Sequence, residues 1–200
     1  ELAKIKVAVC GDAFCLSQEQ HLAPGLSAAG VNEAFSTAPP ISLYGSSKLA
    51  SEMLALEYGG MFGFPVWINR CGLLSGAGQF GRADQGIVSF WINRYLHRLS
   101  LRYIGFGGKG YQVRDCLHPR DLTRLIEKQL RNLSPTGTRV FNVGGGFKNS
   151  FSLAELSSWC AGRFGYHQVL ESAEERNFDF PCLVVDSSNV RDSWGWQPEI

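Results

Sequence analysis

Tyr44-Gly45-Ser46-Ser47-Lys48, continued by LASEMLALEY to Tyr58, is the stretch on which the reading of the chain turns. Tyr and Lys stand four residues apart. The run behind them has helical periodicity, with Leu49, Met53 and Leu56 on one stripe and Ala50 and Leu54 beside it. An i, i+4 spacing predicts that both side chains share one helix face, close enough to act on one ligand. Free tyrosine, with a pKa of about 10, is a poor base at neutral pH, but a neighbouring ammonium favours the phenolate. A Tyr–Lys pair can therefore carry a proton to or from a substrate hydroxyl. The same residues have an ordinary structural explanation, a surface tyrosine with Lys48 paired to Glu52 one turn on.

Working outward, the 200 residues suit one domain, or one domain with a small lobe, and are ample for a core. Apolar residues at 44%, charged residues at 18% and 23 glycines describe a globular chain rather than a disordered or fibrous one. The formal charge of +1, spread along the chain, gives no electrostatic case for nucleic acid or an anionic membrane as partner. No apolar run reaches the roughly 18 residues of a membrane span, and no signal peptide opens the chain. The six cysteines (Cys10, Cys15, Cys71, Cys116, Cys160, Cys182) include no C-x-x-C pair, and the four histidines are scattered. Thiols in a reducing cytoplasm and no metal are the expectation. Beginning at Glu1 rather than Met, the sequence reads as a fragment or a processed form.

In order, Lys4–Cys10 reads as a strand ended by Gly11-Asp12, with a single glycine where a dinucleotide fingerprint needs several. Residues 18–40 read as an ordered surface loop leading into Tyr44. After the Tyr–Lys helix, broken by Gly59, Gly60 and Gly63, Phe64–Arg70 reads as a buried strand. The glycine-rich segment Cys71–Gly86 leaves its carboxyl end, where ligands of open α/β sheets sit. A helix over Gln85–Leu99 turns Val88, Trp91, Ile92, Tyr95 and Leu99 to a core. Leu101–Phe106 and Tyr111–Leu117 read as extended pieces around the turn 107–110. A helix from Pro119–Asp121 is expected to bury Leu122, Leu125, Ile126 and Leu130. Arg139–Val143 is a further strand closed by three glycines, and Ser152 with Glu155 forms a capping box for a helix through Leu156, Trp159 and Cys160. Leu183–Val185 is a last strand, before a short helix capped near Asp186–Ser188 and stopped by Gly195. This β/α alternation predicts an α/β fold with a parallel sheet.

Four pieces in one order resemble the extended short-chain dehydrogenase/reductase family, in its NAD-dependent epimerase/dehydratase branch. They are SLYGSSKLASE, INRCGLLSGAGQ, GYQVRDCLHPRDL, and FNVGGG with N-S-x-S-L-x-E-L and the W-G-W-x-P ending. Q-V-R-D with N-V-G-G-G and P-V-W-I-N-R-C-G is most similar to CDP-paratose (CDP-tyvelose) 2-epimerase-like members. The resemblance covers roughly residues 40–200. It implies the C-terminal part of a Rossmann-like parallel sheet with a small substrate-binding lobe, the N-terminal glycine-rich βαβ half being absent. Residues 1–100, with contributions from 113–143, would be the remainder of the dinucleotide-binding domain, and 101–200 mostly the nucleotide-sugar lobe.

By the same resemblance, Tyr44 is the acid/base and Lys48 its partner. Tyr44, Lys48 and Cys71 meet an NAD cofactor. Arg114 pairs with a phosphate of a nucleotide-sugar substrate, and Arg176 and Asp179 close on the nucleotide. A salt bridge from Arg114 to Asp115 or Asp121, and a surface pairing of Arg176 with Asp179, are the structural alternatives. A cytoplasmic enzyme working as a homodimer, an epimerase passing through a keto-sugar, is implied. A dehydratase or dehydrogenase, or a truncated non-catalytic relative that binds a sugar nucleotide or a partner subunit, is the alternative. Three departures stand beside this: no glycine-rich half, no evident Ser or Thr of the triad upstream of Tyr44 (Cys10, Gly11 and Asp12 stand there), and Leu73 where many relatives place Asn.

Overall fold

The computed structural model describes residues 5–17, 23–82, 85–133, 137 and 139–200. The first two strands, β1 (Val7–Cys10) and β2 (Ala13–Leu16), form an antiparallel hairpin turning at Gly11, whose φ of 62° suits the turn. The single glycine is thus a turn residue, and β1 leads into no βαβ unit. Cys10 and Cys15 are joined by a disulfide across this hairpin, with Cα atoms 6.0 Å apart. That corrects the expectation of thiols at these two positions. The pairing depends on a hairpin register that cysteine spacing alone does not encode. Cys71, Cys116, Cys160 and Cys182 are free.

Residues 18–22 of the expected surface loop lie outside the described residues. The rest holds a second small hairpin, β3 (Leu26–Ser27) and β4 (Gly30–Val31), with Leu26 and Val31 buried and Val31 bridged to Val185. The following helix α1 (Leu43–Phe62) is capped by the Ser42 side chain, which accepts the Gly45 N–H at 3.0 Å, and ends on Gly63 in the left-handed conformation. It runs through Gly59 and Gly60 rather than breaking there. A β-carbon at Gly59 would lie 2.6 Å from Val66 Cγ2, so this glycine lets the returning chain pack against the helix. Its inward stripe is Leu49, Glu52, Leu56 and Gly59. Met53 and Leu54, placed inward or beside the stripe by sequence, are exposed. A charged residue holds the inward place because it is paired there.

β5 (Ile68–Cys71), shorter than the expected strand and half-buried, pairs in parallel with β9 (Val140–Val143). β6 (Leu73–Leu74) pairs in parallel with β8 (Val113–Leu117). Around β8 the sheet adds β12 (Cys182–Leu183), also parallel, and β10 (Ser150–Ser152), antiparallel. Helix α2 (Ile87–Leu96) buries Trp91 and Tyr95 against α4 (Leu153–Phe164), which contributes Leu156 and Cys160. The α2 aromatics are core, and the Trp91 indole donates to Ser157 Oγ at 2.8 Å. Trp159, on the same helix as Ser157, is exposed. β7 (Leu101–Tyr103) pairs in parallel with β11 (Val169–Glu171), and Phe106 beyond it lies in a 3-10 turn.

Helix α3 (Pro119–Arg131) buries Asp121, Leu125 and Gln129, while Ile126 and Leu130 are exposed. The buried polar pair has partners: Gln129 exchanges two hydrogen bonds with Asn69, and Asp121 accepts from the backbone N–H of Glu199 and Ile200. Leu117, Leu125, Phe141, Val143, Val190 and Trp196 form one core cluster under β8 and β9. The Ser152–Glu155 capping box is formed in both directions. Helix α5 (Ser188–Trp194) begins where Asp186 Oδ1 accepts the Ser188 N–H at 2.9 Å, and ends on left-handed Gly195. The architecture is α/β with parallel pairings. Among the described residues no helix is long and apolar enough to cross a membrane.

Candidate functional site

Two neighbouring cavities carry the residues singled out in the sequence. The first, about 490 Å³, is lined by Tyr44, Lys48 and Glu52 of α1, by Arg70 and Cys71 of β5, by Asn142 of β9, and by Phe35, Phe178 and Phe180. The start of α1 and the carboxyl end of β5 come together here because β5 follows the turn that Gly59 and Gly63 allow. The second cavity, about 330 Å³, is lined by Arg114, Arg176, Asp179, Gln112, Leu73 and the Gln85–Ile87 stretch. Tyr44, Lys48 and Cys71 therefore share one cavity, while Arg114, Arg176 and Asp179 share the other.

On α1, the Lys48 ammonium stands 5.3 Å from the centre of the Tyr44 ring. The Lys48–Glu52 pair of the ordinary structural alternative is not made. Arg70 takes Glu52 instead, with Nε 2.9 Å from Oε1 and Nη2 2.7 Å from Oε2. A planar guanidinium matches a carboxylate in this two-bond geometry better than an ammonium does. Among the described residues, Lys48 is left with no carboxylate partner, and Tyr44 is 70% exposed at the mouth of the cavity. Cys71 Sγ points to Asn69 O at 3.5 Å, and burial pushes its thiol up to about 11, so it is a neutral wall residue and not a nucleophile.

In the second cavity Arg114 Nη2 lies 2.5 Å from Asp179 Oδ1. The alternative partners offered by the sequence, Asp115 and Asp121, are thus replaced by a residue 65 positions away. Burial pulls the guanidinium below its ordinary value, and Asp179 pulls it back. Asp115 points the other way along β8, into a nest of glycines. It accepts the Gly146 N–H at 3.3 Å, and a β-carbon at Gly144 would fall 2.1 Å from its Oδ2. Burial pushes Asp115 up to about 6, with the N–H groups of Gly146, Val185 and Gly145 acting against that rise. Asp121 is taken by Arg124.

Sequence reasoning missed Glu52 and Arg70 as a cavity pair, and Asn142, Phe178 and Phe180 as lining. Glu52 had a signal, since it continues the Tyr44–Lys48 spacing by a further four residues. The two phenylalanines had none, because they stand more than 110 positions beyond the end of α1 in the chain. Among the described residues no group of three or more His, Cys, Asp or Glu could hold a metal ion. Tyr44, Lys48 and Cys71 offer a place for the ring end of an elongated cofactor. The turn at Gly11 offers no cradle for its phosphates, since phosphate cradles need several N–H groups at a helix start.

Comparison with known proteins gives the same grouping. Residues 23–144, which contain Tyr44, Lys48, Cys71 and Arg114, match the model of the NAD dependent epimerase/dehydratase family. The chain is 29% identical over 161 residues to CDP-paratose 2-epimerase of Salmonella typhi, covering 80% of this chain and 48% of that protein. It is 29% identical over 165 residues to dTDP-glucose 4,6-dehydratase of Streptomyces griseus, covering 80% of this chain and 46% of that one. The solved structure of Thermus thermophilus UDP-glucose 4-epimerase in complex with NAD superposes with a TM-score of 0.70 at 24% identity, covering 88% of this chain and 57% of the other, and is similar in fold. The chain thus spans about half the length of the curated relatives it matches. With more than half of its residues under the family model, the chain belongs to the NAD dependent epimerase/dehydratase family.

Proposed function

We propose that this chain supplies the catalytic Tyr–Lys helix and the nucleotide-sugar pocket of an NAD-dependent epimerase acting on a nucleotide-activated sugar. The observation that carries the reading is the diversion of Glu52 to Arg70, which leaves the Lys48 ammonium beside Tyr44 at the mouth of the first cavity. Tyr44 takes the proton from a sugar hydroxyl and returns it. Lys48 stabilises the phenolate that exists before the proton is taken and again after it is returned, and reaches the cofactor ribose. NAD, when bound, supplies the acceptance and return of hydride that lets the sugar pass through a keto form. Arg114 holds a phosphate of the sugar nucleotide, with Arg176 and Asp179 beside it, so the sugar extends toward Tyr44. Phe35, Phe178 and Phe180 give the reaction end an apolar wall. Residues 1–100 with 113–143 serve the dinucleotide-binding part in this reading, and most of 101–200 serves the substrate lobe.

The similarity to both CDP-paratose 2-epimerase and dTDP-glucose 4,6-dehydratase supports the chemistry of transient sugar oxidation. Asp12-Ala13 offers no Asp-Glu pair for elimination, which favours epimerisation. The experiment is incubation of the purified full-length protein with NAD and CDP-, UDP- and dTDP-linked sugars, with products followed by NMR. An inverted sugar carbon supports the reading. Elimination of water moves the protein to the dehydratases, and no turnover with retained sugar-nucleotide binding makes it a non-catalytic relative.

A further inference from the structure

Arg114 does not meet a ligand with an open hand. Its Nη2 is 2.5 Å from Asp179 Oδ1, and its Nη1 donates to Val113 O at 2.6 Å. The two side chains are 25% and 19% exposed. The Phe180 N–H donates to the same Asp179 oxygen at 2.9 Å, which fixes the carboxylate from behind. Both residues line the second cavity, so an anionic ligand entering it meets the carboxylate beside the guanidinium.

Resting on the nucleotide-sugar reading above, we propose that Asp179 is the internal counter-ion of Arg114, a specificity-determining residue whose carboxylate must be displaced by the phosphate oxygens of the ligand. Every anion that uses Arg114 then meets the same competition, because freeing Asp179 undoes a half-buried ion pair. Isolated anions such as inorganic phosphate, with no other contacts, are kept out. A nucleoside diphosphate overcomes the competition with contacts from its base and ribose. Asp179 also sits between Phe178 and Phe180, which line the Tyr44 cavity. Phe178 is held at a φ of 61°, a conformation a bulky residue keeps only when its surroundings impose it.

The test is calorimetric titration of the full-length protein with CDP, pyrophosphate and cytidine, for wild type, D179N, R114M and the double variant. Asp179→Asn should tighten CDP and pyrophosphate by about tenfold, the effect of losing one modest ion pair, and leave cytidine unchanged. That gain should vanish in the R114M background. Asp179→Ser carries the same expectation as D179N should the latter fail to fold. Weaker CDP binding by D179N and D179S, or a gain that persists without Arg114, overturns the counter-ion role. If wild type and R114M bind CDP equally well, or neither binds it, the nucleotide reading of this cavity falls as well. If only R114M loses CDP and D179N gains nothing, the counter-ion role alone falls.

Discussion

Arg70 holds Glu52 through two parallel hydrogen bonds, from the end of β5 across to the inward face of α1. The side chains are 28% and 17% exposed, so the pair is neither a solvated surface contact nor a fully dry one. It fixes the pitch of α1 on the sheet and removes the one carboxylate that could reach Lys48 by helix spacing alone.

Replacing Arg70 by Met should therefore act on turnover through Glu52. The released carboxylate captures Lys48 one turn earlier on α1 and draws its ammonium from Tyr44. We expect a fall of about tenfold or more in kcat for R70M, with stability reduced by about 1–3 kcal/mol in urea unfolding. Adding Glu52→Gln should recover part of the lost kcat although it restores no ion pair. A double variant no better than R70M would refute this.

Tyr44→Phe keeps the ring and removes the proton carrier. Turnover should drop by about 100-fold to 10,000-fold, the usual contribution of a positioned acid/base. Binding of CDP at Arg114 should change by less than about twofold, because Tyr44 and Arg114 line different cavities. Steady-state kinetics and calorimetry on the same preparation separate the two effects.

Asp115 should make stability fall on going from acid to neutral pH. Its folded value, about 6, lies above the ordinary 3.8. The protonated form is therefore the one favoured by folding. Its contribution is complete below the unfolded value and is lost as pH rises through about 6. A shift of roughly two units corresponds to about 3 kcal/mol. Urea unfolding between pH 4 and pH 8 should show a slope of this sign, and Asp115→Asn should flatten it.

Cys71 should resist alkylation. A thiol moved from 9.0 to about 11 carries about 100-fold less thiolate at pH 8, and thiolate is the reacting form. Mass-resolved iodoacetamide labelling should find Cys71 slower than a free peptide thiol by at least that factor. Cys71→Ala should retain most of the turnover, as expected of a wall residue. Fast labelling in the native state would contradict both statements.

Much of the fold was legible because its signals are local. Gly63 ends α1, Ser152 and Glu155 announce α4, and Gly195 stops α5; each acts within a turn of its own position. What failed depends on distant neighbours. Ile126 and Leu130 look inward on a helical wheel, yet α3 turns Asp121 and Gln129 to the core because Asn69 and the backbone at Glu199 and Ile200 satisfy them. Cys10 and Cys15 meet only once the hairpin register is set. At the site, Tyr44 and Lys48 were readable from spacing and motif. The partner of Arg114 was not, since nothing near Arg114 points to position 179.

The stretch Phe178–Phe180 sends consecutive residues to alternate sides, Phe178 and Phe180 to one cavity and Asp179 to the other. Each side meets a different chemical compartment. Sliding it by one residue would put a carboxylate against the apolar wall and a phenyl ring against a guanidinium. Loop length here should consequently be far less tolerant of change than loop composition. A single insertion or deletion would disable both compartments at once, whereas exchanging Phe178 for another apolar residue would reshape only the chamber in front of Tyr44.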